Sequence, residues 1–310
     1  MFLNIAYITK VNVASLNGGE GTGGNVTVMK KISNAKGDEF AYVSGQALRR
    51  YMKETLFQLS SRITEVDEKG EPTFKIDDKG KTVDLNNAEN WKKYKEEAFK
   101  KFVDLDLFGY MFPKATRRWS PVKVTPLISI LPYKGEYDYL TRKQKPKKDG
   151  DKSGNIVQVE IDTMNFMRGN IMINTSHIGN EVDEFSYEIK EILNEDERVE
   201  RLNIFLDAIK NFNGGAKQAR NLEDISPKFV IIAEQKTGNP FLLNSLDVDN
   251  NGNINIENIK EAIDDNSVNR LTIGISKGIF NNEDEIKSIF EKVTTVNRAI
   301  DSYKDMLKSK

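Results

Sequence analysis

Two short apolar runs constrain this chain most. Phe2-Leu-Asn-Ile-Ala-Tyr-Ile-Thr-Lys-Val11 and Phe229-Val-Ile-Ile-Ala233 are rich in β-branched and aromatic residues and too short for core helices, so each predicts a buried strand. Between them the apolar spacing turns helical twice. Ala47, Leu48, Tyr51, Met52, Thr55, Leu56 and Leu59 fall on one face behind Ser44, a capping residue. Val199, Leu202, Phe205, Leu206, Ile209 and Phe212 do the same behind an Asn194/Glu197 capping box, and Gly214-Gly215 ends that helix. Further strands read at 122–131, where Pro126 marks an edge or a bulge, and at 156–161 and 170–174. Residues 25–32 alternate and read as half of a hairpin.

Without its insertions the order is β-α-β-β-α-β, the ferredoxin-like, RNA-recognition-motif arrangement of the α+β class. The expectation is one domain over 1–310, with insertions at about 61–115 and 132–172 and a C-terminal extension from about 245. The first insertion holds a helix at 88–103, with Trp91, Tyr94, Ala98 and Phe102 on one stripe. A final helix over 283–308 carries Ile286, Ile289, Phe290, Val293, Ile300, Tyr303 and Leu307 and should dock on the body. The stretch 141–154, with Arg142, Lys143, Lys145, Lys147, Lys148 and Lys152, reads as a solvated loop.

Composition narrows the function. The chain has 310 residues, no Cys and one His, which excludes disulfides, thiolate metal sites and any two-His centre. No run approaches the ~18 apolar residues that span a bilayer, and the start lacks the basic, long-apolar pattern of a signal peptide. A soluble, cytoplasmic protein is expected. The 46 basic and 47 acidic residues rule out a uniformly basic protein, but a local basic stripe is enough for nucleic acid.

Several motifs carry weak chemistry. Asn17-Gly-Gly-Glu-Gly-Thr-Gly-Gly24 lacks the Gly-Lys-Ser/Thr ending of a nucleotide loop and reads as a hairpin turn. Asp247 to Asn258 mimics a calcium loop, but its twelfth position is Asn258 where a bidentate Glu is needed, so a pre-helix turn is preferred. Arg117-Arg118 beside Trp119 suggests a stacking and phosphate-gripping patch, against a core Trp with solvated arginines. His177 has no evident acid-base partner, and the scattered Asp38, Asp104 and Asp106 read as turns or caps. No cofactor, metal or catalytic residue is expected.

The block Tyr42-Val-Ser-Gly-Gln-Ala-Leu-Arg-Arg50, placed after Leu16–Gly24 and Val28-Met-Lys-Lys-Ile32, resembles the DevR-type backbone subunits of type I (I-B) CRISPR Cascade complexes. Asp104-Leu-Asp-Leu-Phe-Gly-Tyr-Met111, Arg118-Trp-Ser-Pro-Val-Lys-Val124, and Gly214-Gly-Ala-Lys-Gln-Ala-Arg220 followed by Ser226-Pro-Lys-Phe-Val230 agree in order. The resemblance runs to about residue 245. It implies a non-catalytic, guide-RNA-binding subunit of the repeat-associated superfamily. Several copies would line one guide and present it for pairing with target DNA beside other Cascade subunits. A protruding thumb is implied too, for which 61–115 and 132–172 are both candidates. The same resemblance places Ser44, Gln46, Arg49 and Arg50 against the RNA backbone, with the loop of Gly214, Gly215, Lys217, Gln218 and Arg220. Arginine grips phosphate oxygens bidentately, and bare glycine amides let a phosphate approach. A guide-processing endoribonuclease of the same superfamily is the alternative, and lone His177 counts against it.

Overall fold

The computed structural model describes residues 1–19, 26–59, 61–76, 81–112, 116–141, 156–183 and 185–308. The glycine run 20–24 and the basic run 142–152 lie outside the described residues.

The body is a mixed α+β structure around an antiparallel-dominated sheet. Its members along the main path, with one more on β6, are β1 (Phe2–Ala14), β2 (Lys31–Ser33), β3 (Glu39–Val43), β4 (Val122–Val124), β5 (Leu127–Ser129), β6 (Ile156–Asn174), β7 (Phe229–Gln235), β8 (Val268–Ile275) and β9 (Val293–Thr294). Neighbours run β9-β8-β7-β1-β6-β5-β3-β2, with β4 also on β6. β1 pairs antiparallel with both β6 and β7, in registers such as Ile5↔Ile171 and Ile5↔Ile232. The helix α1 (Gly45–Gln58) connects β3 to the rest, and α4 (Glu195–Lys210) connects β6 to β7. Both capping predictions hold. The Ser44 hydroxyl accepts from Ala47 N–H at 3.3 Å, and Asn194 and Glu197 form a reciprocal capping box.

Strand periodicity divides two cores across the sheet. Leu3, Ile5 and Tyr7 of β1 face α1, α4 and the last helix, α7 (Val296–Lys308), meeting Leu48, Met52, Phe205, Ile300 and Tyr303. Ala6, Ile8, Phe229 and Ile231 point the other way, into Leu242, Ile254, Ile259, Phe280 and Ile286. That second layer comes from the residues after 240, including α5 (Ile256–Asp264) and α6 (Glu283–Ile289). The extension therefore covers the opposite sheet face, and Phe229–Ala233 is apolar at every position because both sides are buried.

Three predicted elements differ. The strand at 122–131 is broken into β4 and β5 at Thr125-Pro126, where proline supplies no ladder donor. The two strands at 156–161 and 170–174 are one strand, β6, which stays paired across a left-handed Met164 (φ 49°) that leaves Asn12 unmatched in the register. The single helix over 283–308 is two, α6 and α7, separated by β9. The β-branched run Val293-Thr-Thr295 favours a strand there. Gly274 of β8 makes the close approach possible, since a Cβ would lie 2.7 Å from Val296 Cα.

Residues between 74 and 112 hold a small core of their own. Trp91, Ala98 and Phe102 of the predicted stripe pack with Phe74, Leu85, Leu105 and Phe112. Its helices are α2 (Ala88–Lys101) and α3 (Val103–Phe108).

Candidate nucleic-acid interface

Helix α1 presents a strip to solvent. Gln46, Arg50 and Phe57 are exposed along it, and the ion pair of Arg50 with Glu54 at 2.8 Å is a solvent-facing i,i+4 pair. On one flank Tyr51 turns into the body, and its hydroxyl donates to the Leu16 carbonyl at 2.9 Å. The same carbonyl accepts from Ala216 N–H at 3.0 Å, and Asn17 Oδ1 accepts from Ser44 N–H at 3.0 Å. The end of β1, the N-terminus of α1 and the 214–218 turn are thus one hydrogen-bonded corner.

The turn needs its glycines. Gly214 has φ +146°, and a Cβ there would overlap the Tyr51 ring; Gly215 has φ +127° and would drive a Cβ against Gln218. Gln218 Nε2 donates to the Gly214 carbonyl at 2.7 Å, and Asn213 donates to Gln58 of α1 at 3.0 Å. Among the described residues, no acceptor engages the Gly214 or Gly215 amide. Lys217 is left-handed (φ 58°) and exposed, with its side chain outward. Arg220 closes the far end in an ion pair with Asp138 at 2.7 Å. The sequence-predicted Ser44, Gln46, Arg50, Gly214, Gly215, Lys217 and Gln218 therefore share one corner.

Two predicted arginines are held elsewhere. Arg49 donates to the Phe108 carbonyl at the C-terminal end of α3 and lies 5.4 Å from the Phe108 ring, with partial burial lowering its pKa. It joins helices rather than facing solvent. Arg118 is buried. Its guanidinium donates to Asp106 Oδ1 at 2.8 Å, to the Asn180 and His177 carbonyls at 2.6 Å each, and to the Asp106 carbonyl at 3.3 Å. All three guanidinium nitrogens donate inside the body, which corrects its reading as a phosphate grip.

Asp106 is the residue that sequence reasoning missed. Fully buried, it also accepts from Arg201 at 3.0 Å and from Gly179 N–H at 2.9 and 3.0 Å. Arg201 in turn donates to the Phe99 and Lys100 carbonyls, which end α2. One carboxylate with two guanidiniums ties α2 and α3 to α4. The available signal was an acid enclosed by Leu105 and Leu107.

Trp119 is not core. It is 66 % exposed and, with Arg117, lines a cavity of about 100 Å³ between the Tyr110–Phe112/Thr116–Arg118 hairpin, α2 and the Asn180–Val182/Ile189–Glu191 hairpin. His177 lines the same cavity; partial burial, with Arg118, Lys123 and the N-terminal ammonium nearby, holds its imidazole below the usual value. The calcium-like segment folds as a turn entering α5. Asp249 accepts from Asn251 and Asn253 N–H and from Asn253 Nδ2, and this self-contained bonding holds its carboxyl below the usual range. Among the described residues no cluster of three His, Cys, Asp or Glu could hold a metal, and no helix is long and apolar enough to cross a membrane.

Comparison with known proteins agrees with this architecture. One solved chain described as a CRISPR RNA-guided surveillance complex superposes with TM-score 0.58 at 15% identity, covering 99% of each chain. Another, a CRISPR RNA-guided surveillance complex, pre-nicking, gives TM-score 0.65 at 14% identity, covering 99% of this chain and 100% of that one. No protein of curated function matches. Residues 5–254 match the family described as CRISPR-associated negative auto-regulator DevR/Csa2, and the chain belongs to that family.

Proposed function

We propose that this chain is the guide-RNA-binding backbone subunit of a type I CRISPR interference complex of the Cascade type, without catalysis of its own. One observation carries the reading. The exposed Gln46–Arg50 strip of α1 and the 214–218 turn form a single corner, fixed by Tyr51, Leu16 and Asn17. A ribose-phosphate strand there would meet Arg50 and Lys217 as mobile cations and the Gly214 and Gly215 amides as fixed donors. Ser44 and Gln46 add polar side chains at the N-terminal end of α1, where the helix dipole favours an anion. Nothing in this set reads bases, which suits a protein that leaves sequence to pairing.

The order β7-β1-β6-β5 supports a ferredoxin-like, RNA-recognition-motif core. β1 and β5 run parallel on either side of β6, and β6 and β7 on either side of β1, which is the split βαβ arrangement. Residues 1–310 would then be one such domain, with an insertion about 61–115 and an extension from about 245, while the expected second insertion, 132–172, runs into β6, whose residues 162–174 pair with β1 in the sheet. The extension occupies the sheet face, so RNA would be held by the α1 edge and not stacked on the strands.

In this reading several copies line one guide, beside other subunits, and the assembly presents it to target DNA in the cytoplasm. The surveillance-complex descriptions of the structural neighbours support the partners. Nothing favours the endoribonuclease alternative, because the residues lining the His177 cavity include none of α1 or the 214–218 turn. Purification of the chain with its RNA tests the reading. Short RNA of one repeat-spacer length class should copurify, and its replacement by heterogeneous RNA or none would refute it.

A further inference from the structure

Three Asn-Gly pairs occur in this chain, at 17–18, 213–214 and 251–252. Such pairs carry latent chemistry. The glycine amide nitrogen can attack the preceding side-chain carbonyl carbon, and glycine has no Cβ to hinder the approach. The peptide between the two residues must turn for this, so hydrogen bonds on its carbonyl or its N–H hold the reaction back.

Two of the pairs are pinned. The Asn17 carbonyl accepts from Lys30 N–H at 2.8 Å, and Asn17 Oδ1 accepts from Ser44 N–H at 3.0 Å. Gly252 N–H donates to the Asp249 carbonyl at 3.0 Å, and the Asn251 carbonyl accepts from Asn281 Nδ2. The 213–214 peptide differs. Among the described residues, neither the Asn213 carbonyl nor the Gly214 N–H has a hydrogen-bond partner. Asn213 is exposed, just beyond the end of α4. Its Nδ2 donates to Gln58 Oε1 and to the Asn211 carbonyl, at 3.0 Å each, and both bonds lie in solvent, where water replaces them at little cost.

We infer that Asn213 is a site of spontaneous deamidation, shielded while RNA occupies the corner, and that its conversion to an acid weakens the RNA grip. The parts concerning RNA rest on the function proposed above. In the reaction a bond forms from Gly214 N to Asn213 Cγ and the Cγ–Nδ2 bond breaks. Ammonia leaves with the proton that Gly214 N gives up. Water then opens the resulting succinimide at either carbonyl, giving Asp or isoaspartate. The new carboxylate stands next to the Gly214 amide that would hold a phosphate, and it can no longer donate to Gln58.

RNA-free protein kept at mildly alkaline pH, sampled over weeks and digested with trypsin, tests this. Mass spectrometry follows the 211–217 peptide and the peptides holding Asn17 and Asn251. Asn213 should lose its amide several-fold faster than the other two, as Asp and isoaspartate, while in urea all three pairs should react alike. Native loss at Asn213 no faster than at Asn17 or Asn251 would overturn the inference. Single-stranded RNA in excess should slow the loss at Asn213. Aged protein and Asn213→Asp should bind that RNA roughly fivefold more weakly, the effect of one charge about 4 Å from a phosphate in water. Aged Asn213→Gln should bind like the parent. Fast deamidation with neither protection by RNA nor loss of affinity would overturn the link to RNA. Parent-like binding by Arg50→Glu/Lys217→Glu would then show that the corner itself has failed, and weakened binding that only the role of Asn213 has.

Discussion

Replacing Asp106 by Ala should unfold the junction between the insertion and the body. The carboxylate is fully buried and faces Arg118 at 2.8 Å and Arg201 at 3.0 Å, with Gly179 N–H as a further donor. Removing it leaves two buried guanidiniums without a counter-charge and one orphaned amide. Breaking a buried pair in this way costs about 3–5 kcal/mol. At about 2.1 cal/mol/K of unfolding entropy per residue, that is a drop in melting temperature of about 5–8 °C for the 310-residue chain. Arg118→Met should destabilise too, because it removes the guanidinium's bonds to the Asn180 and His177 carbonyls and leaves Asp106 with Arg201 as its one paired cation. Melting followed by circular dichroism gives the stability, and RNA titration of the folded fraction gives function. Both variants should melt early yet bind RNA normally per folded molecule. A variant at Arg118 that melts like the parent but loses RNA would refute the argument and restore Arg118 as a phosphate contact.

Gly214→Ala should destabilise by about 1–3 kcal/mol in urea unfolding, because φ +146° is strained for alanine and its Cβ meets the Tyr51 ring; the double variant with Tyr51→Ala should recover the steric part only. Tyr303→Phe should cost about 1–3 kcal/mol by removing the buried hydrogen bond that the Tyr303 phenol donates to the Glu234 carboxylate at 3.0 Å. Partial burial pushes the Asp207 carboxyl up, but hydrogen bonds from Lys304 and Lys210 outweigh it and hold the group below its ordinary value. Its folded pKa is thus depressed, so its contribution to α4–α7 docking is present at neutral pH and lost as pH falls below roughly 4. Asp207→Asn should therefore melt earlier than the parent at pH 7, with the difference shrinking at pH 3.

The parts of the fold that depend on nearby residues were legible. Ser44 capping α1 and the Asn194/Glu197 box opening α4 are three-residue patterns, and both form. The apolar run of β1 and the stripes of α1 and α4 marked the main core correctly. What failed depended on distant partners. Arg49 and Arg50 are indistinguishable in sequence, yet Phe108, 59 positions away, claims one and leaves the other in solvent. Arg118 was read as a surface grip because Asp106, His177 and Asn180 converge on it only in three dimensions. The stripe over 283–308 is real, but Gly274 draws Val293-Thr294 into the sheet and splits the helix. The second sheet face was hidden for the same reason, since the segment after 240 shows no local sign of what it covers.

The α1–214 corner is tested most directly by single-stranded RNA binding of Arg50→Glu/Lys217→Glu across a salt series. Each phosphate contact contributes about 0.7 to the slope of log affinity against log salt for single strands. The double variant should bind every RNA sequence more weakly and lower that slope by about 1.4, with its melting temperature unchanged because both side chains are exposed. Parent-like affinity and slope would place the RNA on another surface and contradict the account.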